Sequence, residues 1–204
     1  LKLNYHLRAL FKKEILIDSV ILKKPFVFIK QEADSSLNLQ HLLLESDKVE
    51  SKSSSSFFPF KIRAPYISLR NGSVKTSTGS RFIPEAVFDF NLLAGGSYSS
   101  KEIEINLEAL NFQTQNPSLS VNEISTVFKK DKSGISIDSL LIRTTGSQIL
   151  LNGDMASLTQ MNGDLAVNPL NKDELFIFVP SFKLVRSPQI FADFVAENDS
   201  ATTK

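Results

Sequence analysis

Two-residue periodicity constrains this chain more than any other feature of its sequence. Leu1, Leu3, Tyr5 and Leu7 interleave with Lys2, Asn4, His6 and Arg8, and Ile103, Ile105, Leu107 and Ala109 interleave with Glu102, Glu104, Asn106 and Glu108. Successive side chains of a strand point to opposite faces, so each run presents one apolar and one polar face. Similar runs cover Glu14 to Leu22, Pro25 to Gln31, Phe58 to Arg70, Ser73 to Thr78, Glu85 to Leu93, Leu119 to Lys130 and Gly134 to Arg143. Asn71-Gly72, Gly95-Gly96 and Lys132-Ser133-Gly134 read as turns between runs, and a long antiparallel meander is the simplest assembly.

Helical signals are few. Asn38 is placed to cap a short helix over Leu39 to Leu44. Asn171, with Glu174 three residues on, has the capping-box pattern ahead of Leu175, Phe176 and Phe178, and Pro180 supplies the stop. Ser187-Pro188 then opens a third helix, with Ile190, Phe191, Phe194 and Val195 at helical spacing. The segment 50–56, with five serines, is expected to be a flexible loop and 197–204 a disordered tail, leaving residues 1–196 as a single β-rich segment. About ten one-sided strands against about 25 helical residues leave two solutions. Either the sheet closes on itself as a sandwich, or it curves and keeps an open apolar lining, which usually implies a ligand or partner.

Composition narrows the function. At 204 residues the chain can bury roughly 70% of its unfolded surface without a metal or disulfide. With 23 basic and 22 acidic residues the net charge is +1, which gives no electrostatic basis for nucleic-acid binding. The absence of cysteine removes disulfides, thiol catalysis and thiolate metal sites without settling the compartment. The longest apolar run, Leu175 to Val179, is far short of the ~20 residues of a membrane-spanning helix, and no signal peptide is expected within these residues. Because the first residues already alternate as a strand and no start methionine precedes them, the chain is expected to be a piece of a longer protein.

No pattern carries chemistry. His6 falls on a polar strand face and His41 in the short helix, without ligand spacing or a completing carboxylate. There is no Gly-x-Ser-x-Gly elbow, phosphate-cradling loop or dinucleotide fingerprint. Arg143-Thr144-Thr145-Gly146-Ser147 is rich in hydroxyls but lacks a base and fits a connection between strands; Glu102 and Glu104 are solubilising carboxylates on one face. Neither an enzyme nor a metal or other cofactor is expected.

One repeat tests the strand reading. Asn152-Gly153-Asp154 recurs ten residues on as Asn162-Gly163-Asp164, and Asn-Gly is a strong hairpin signal. Tight turns there would oppose Leu151 to Asp154 and Met161 to Asp164, bringing polar groups onto the apolar face. The calcium alternative lacks the Asp-x-Asp-x-Asp spacing and late glutamate. Read as continuous strands, Ile149, Leu151, Gly153 and Met155 share one face, as do Met161, Gly163, Leu165 and Val167. A short loop at Ser157 to Thr159 then sets Gly153 opposite Gly163, Asn152 opposite Asp164 and Asp154 opposite Asn162. The two glycines would leave a dent in the apolar face, made for sheet bending, for the close approach of a helix, or for a ligand.

From Tyr5 to Leu43 the chain runs as a strand, then LFKKEILIDSVILKKPFVFIKQ, then SSLNLQHLL. It resembles the amino-terminal part of AsmA-like and TamB-like envelope proteins, with Ile15-Leu16-Ile17, Pro25-Phe26-Val27 and Asn38-Leu39 in the matching places. LLIRTTGSQI (140–149) and NKDELFIFVPSF (171–182) are similar to the TamB branch in particular, although Glu174 separates Asp173 from Leu175 where that branch has Asp and Leu adjacent. The resemblance implies an all-β, mainly antiparallel sheet curved into a taco-like groove. It also implies a periplasmic protein anchored in the inner membrane by a helix before Leu1, and an outer-membrane barrel partner that binds outside these residues.

Two functions follow. The first is a conduit that carries phospholipid acyl chains between the inner and outer membranes. Exposing a tail of about 14 carbons to water costs on the order of 11 kcal/mol, so the lining must be continuous. Phe88, Phe90, Ile103, Ile105, Leu107, Ile149, Leu151, Leu165 and Val167 are the lining candidates, and each would serve equally as plain core. The second is a scaffold for assembly of outer-membrane β-barrel proteins, pairing its edges with client strands. A β-sandwich adhesion or carbohydrate-binding domain fits less well, because sugar platforms favour Trp and Tyr and this chain has no Trp and three Tyr against 16 Phe.

Overall fold

The structure, a computed structural model, describes residues 1–31, 36–38, 60–78, 83–157, 160–179 and 184–196. The helix read over Leu39 to Leu44, His41, the 50–56 loop, Pro180 and the 197–204 tail lie outside these residues. The strands are β1 (Lys2–His6), β2 (Glu14–Lys23), β3 (Phe26–Lys30), β4 (Lys61–Ser77), β5 (Ala86–Tyr98), β6 (Ile103–Gln115), β7 (Leu119–Lys130), β8 (Ile135–Thr144), β9 (Gln148–Ser157), β10 (Gln160–Val167) and β11 (Ile190–Ala196). A 3-10 helix, Leu7–Lys12, follows β1, and a seven-residue α-helix, α1 (Lys172–Phe178), separates β10 from β11. None of the described helices is long and apolar enough to cross a membrane.

All the strands join one open, curved, mostly antiparallel sheet in the order β1-β2-β4-β5-β6-β7-β8-β9-β10-β11, with β3 also on β4. The expected all-β, taco-like architecture is therefore present, and the closed sandwich is not. From β4 onward consecutive strands pair antiparallel, as a meander. The start departs from it: β2 and β3 lie end to end along one edge of β4, both parallel to it, with Lys23 beside Arg70 and Phe26 beside Ser73. Lys24, at φ 50°, and Pro25 make the break between them, while Lys24 N–H donates to the Arg70 carbonyl and Ser73 N–H to that of Pro25.

Three sequence expectations give way. Asn71-Gly72 and Gly95-Gly96 are not turns but lie inside β4 and β5, whose strands are longer than the alternation suggested. Asn71 is a β-bulge with left-handed backbone (φ 52°), which restores alternation after an extra residue, so the pattern looked interrupted where the strand was not. Residues 190–196 form β11, not a third helix. Ile190, Phe191, Phe194 and Val195 satisfy helical spacing, but the free edge of β10 offers a row of unpaired N–H and C=O groups that this segment takes up from Met161 to Val167.

The fold has little conventional core. Ala94, Val121 and Val167 are the buried apolar residues among those described, and none of the large side chains is fully buried. Substantial contacts between elements join neighbouring strands of the sheet, or β2 and the adjacent 3-10 helix.

Candidate functional site: an apolar sheet face

Register decides which side chains share a face. Residues directly opposite one another in a ladder point the same way, so pairings can be followed from strand to strand. One row crosses β4 to β11 as Ala64, Gly96, Ile105, Phe128, Ile137, Gly153, Gly163 and Phe194. Another runs Leu69, Leu92, Leu110, Ile124, Ile142, Ile149, Val167 and Ile190. Leu107 opposite Ala94, and Leu151 between Leu140 and Leu165, fall between these rows on the same face. Phe90, opposite Gly72, stacks on Phe112 with ring centroids 6.2 Å apart.

Eight of the nine candidates thus share one face: Phe90, Ile103, Ile105, Leu107, Ile149, Leu151, Leu165 and Val167. Phe88 does not join them. It lies opposite Gln113, on the other side, because the bulge at Asp89 (φ 51°) inserts a residue between Phe88 and Phe90. Alternation counted without the bulge places the two rings together. The face also holds residues the sequence reading passed over, among them Leu92, Leu110, Phe112, Phe128, Ile137 and Ile142. Their own runs signalled them, and only the register brings those runs together.

Bulges recur across the sheet and are held from the polar face. Asn71, Asp89 and Ser139 (φ 53°) are left-handed residues at register shifts in β4, β5 and β8. Two of them end in the same construction. Asn71 N–H donates to Asn91 Oδ1 at 2.9 Å, and Asn91 Nδ2 donates onward to Asn111 Oδ1 at 3.0 Å. Ser139 N–H donates to Asn152 Oδ1 at 2.7 Å, and Asn152 Nδ2 to Asp164 Oδ2 at 3.0 Å. An asparagine of the next strand takes the amide that the bulge removes from the ladder. Asn152 and Asp164 of the repeated motif therefore belong to a bulge clamp within continuous strands and not to a turn.

The motif's pairing matches the straight-strand reading: Asn162 faces Asp154, Gly163 faces Gly153, and Asp164 faces Asn152. Phe194 occupies the dent. A Cβ built on Gly163 would lie 2.5 Å from Phe194 Cζ, and one on Gly153 would lie 3.8 Å from it. The missing side chains make room for an aromatic ring from the edge strand.

Helix α1 closes one end. Asn171 Oδ1 accepts from the N–H groups of Asp173 at 2.8 Å and Glu174 at 3.3 Å, the expected cap. Glu174 does not complete a capping box. Its carboxylate accepts from Thr144 Oγ1 at 2.6 Å, Gly146 N–H at 2.9 Å and Ser147 Oγ at 2.5 Å, tying the helix to the turn between β8 and β9. The hydroxyl-rich stretch 143–147 is thereby a structural anchor.

The opposite face carries the ion pairs. Glu104 pairs with Lys129 at 3.7 Å, Glu123 with Arg143 at 2.7 Å and Glu14 with Arg63 at 3.5 Å. A depression of about 260 Å³ is lined by Tyr66, Ser68, Arg70, Asn91 and Asn111 together with Leu69, Leu92, Leu93 and Ala109. The Arg70 side chain beside Tyr66 holds its phenol below the ordinary value. Among the described residues no three His, Asp or Glu side chains are gathered to hold a metal ion. No family model, curated protein or solved structure matches this chain.

Proposed function

We propose that this chain is a stretch of lipid-carrying groove in the bacterial cell envelope, in which phospholipid acyl chains lie along the apolar face on their way between the inner and outer membranes. One observation carries the reading: an apolar face spans β4 to β10 and, among the described residues, no second layer packs on it. At ~4.8 Å between strands and ~3.3 Å per residue the face measures roughly 30 by 30 Å, about twice the largest apolar patch usual for a soluble monomer. Ala94, Val121 and Val167 on it are buried, most other members are only partly so, and Ile105 keeps 45% of its surface. Side chains alone leave that surface in water, and an acyl chain removes it at about 25 cal/mol per Å².

The resemblance of 5–43, 140–149 and 171–182 to AsmA-like and TamB-like proteins supports the envelope setting, with a periplasmic location, an inner-membrane anchor and an outer-membrane barrel partner supplied by the parent protein. Detergent-free purification followed by lipid mass spectrometry tests the reading. A photo-crosslinker at Leu107, on the apolar face, should capture phospholipid, whereas one at its neighbour Asn106 should not. Absence of co-purifying phospholipid, or equal capture at the two positions, would sink the proposal.

Assembly of barrel proteins by strand pairing is the second reading, and one observation favours it. Edge strand β11 is exposed on both faces, with Phe191 and Val195 the most open of its large apolar side chains. Crosslinkers at these two residues that capture β-rich clients would support it.

A further inference from the structure

We infer that Lys130 is the headgroup contact of this groove, its ammonium pairing with the phosphate of a lipid whose acyl chain lies along the apolar face; the inference rests on the lipid-groove reading. Lys130 lies opposite Ile103 on one side and Ile135 on the other. The row continues to Tyr98 and Ile62 in one direction and to Met155 and Met161 in the other. Its side chain therefore belongs to the apolar face, where it is the only charged residue among the register-paired positions of β4 to β10. It is exposed and has no ion-pair partner among the described residues.

Its neighbour sharpens the point. Lys129, one residue earlier, projects to the polar face and pairs with Glu104. Solubility alone explains a lysine there, but not one among isoleucines on the other side.

Placement fits an amphiphile. Lys130 ends β7, just before the turn 131–134, so it stands at the rim of the apolar face and not in its middle. A lysine at such a rim lays its methylenes on apolar neighbours and keeps the ammonium in water. From there the face runs along β7 past Phe128 and Ile124 to Val121, roughly 30 Å at 3.3 Å per residue. A lipid bound tail-inward would meet a cation only where its phosphate emerges. The carboxylate next in sequence, Asp131, is turned into the 131–134 turn, accepting from Ser133 N–H at 2.7 Å and from the Ser133 hydroxyl at 2.5 Å, and makes no ion pair with Lys130.

The test compares decanoyl lysophosphatidate with decanoyl monoacylglycerol, the same tail with and without phosphate, by calorimetry at low salt. The phosphate form should bind about fivefold tighter, the range of one partly exposed charge pair. Lys130→Met should erase that preference while leaving monoacylglycerol affinity unchanged, Lys130→Arg should keep it, and Lys129→Met should alter neither. Equal binding of the two amphiphiles by wild type, or a preference surviving Lys130→Met, overturns the headgroup contact and leaves the groove reading standing. Binding of neither amphiphile overturns both. Inorganic phosphate held alone by wild type and lost in Lys130→Met marks a free-anion site and overturns the lipid assignment.

Discussion

Adding one methyl group to each glycine of the repeated Asn-Gly-Asp motif should give two different results. At Gly163 a Cβ would fall inside van der Waals contact of the Asn152 carbonyl oxygen, 2.5 Å from Phe194 Cζ and 3.0 Å from Gly153 Cα. Two of those three obstacles are backbone of the paired strand, which cannot rotate away. At Gly153 the nearest atom is the Asn162 carbonyl oxygen at 3.0 Å, and the next two lie at 3.7 and 3.8 Å. Alanine gains about 0.5 to 1 kcal/mol over glycine inside a strand through the unfolded chain, and overpacking typically costs about 1 to 3 kcal/mol. For Gly163→Ala the cost wins, with a net loss of about 1 to 2 kcal/mol. For Gly153→Ala a shift of a few tenths of an ångström relieves the contact, and the net change stays within about 0.5 kcal/mol. Equilibrium unfolding in urea, with slopes compared, measures both. Adding Phe194→Ala to Gly163→Ala should recover part of the loss but not all, since the Asn152 carbonyl remains. Equal shifts for the two glycines, or a Gly163→Ala protein as stable as wild type, would refute the account of the dent.

Other expectations follow from the polar anchors. Glu174→Ala should cost about 2 to 3 kcal/mol, because it strips the acceptor from Gly146 N–H and from the buried Ser147 hydroxyl; faster amide exchange at Gly146 is the local readout. Asn91→Ala and Asn152→Ala should each cost about 0.5 to 1 kcal/mol, since water replaces part of what the exposed bulge amides lose. The amides of Asn71 and Ser139 should then exchange faster, and unchanged protection would count against the clamp. Hydrogen bonds from Ser133 hold the Asp131 carboxyl below the ordinary carboxylate value. With the folded value depressed, the turn's contribution is present above the unfolded value and lost as pH falls through the folded one. An NMR titration should show this, and Ser133→Ala should move Asp131 back up.

The strands from Leu119 to Lys130 and from Gly134 to Arg143 were legible nearly to the residue, because each keeps one apolar face between clear turn signals. Asn152 to Asp164 was legible too, since only one register keeps the glycines together. Three things were hidden. Bulges at Asn71 and Asp89 break the count of two, so a continuous strand looked like two and Phe88 looked like a partner of Phe90. The parallel placement of β2 and β3 on β4 depends on a connection between distant segments that local periodicity does not encode. For β11, four large apolar residues in seven suit a helix or a strand equally, and the open edge of β10 decides between them. The lining candidates were chosen because they alternate; Lys130 alternates too, and its place on the apolar face emerged only when the register set it between Ile103 and Ile135.

Because contacts join neighbours in the sheet and, among the described residues, no second layer spans it, these strands form a one-dimensional array. Each interior strand is stabilised by two interfaces and each edge strand by one, so stability is a sum along the array. Opening should begin at β1 and β11 and grow harder toward β6, giving a graded exchange profile without a single global step. The same additivity frees length from volume. A packed core limits how large a domain grows, whereas this sheet can gain a strand by repeating one interface, so its span is set by strand number alone.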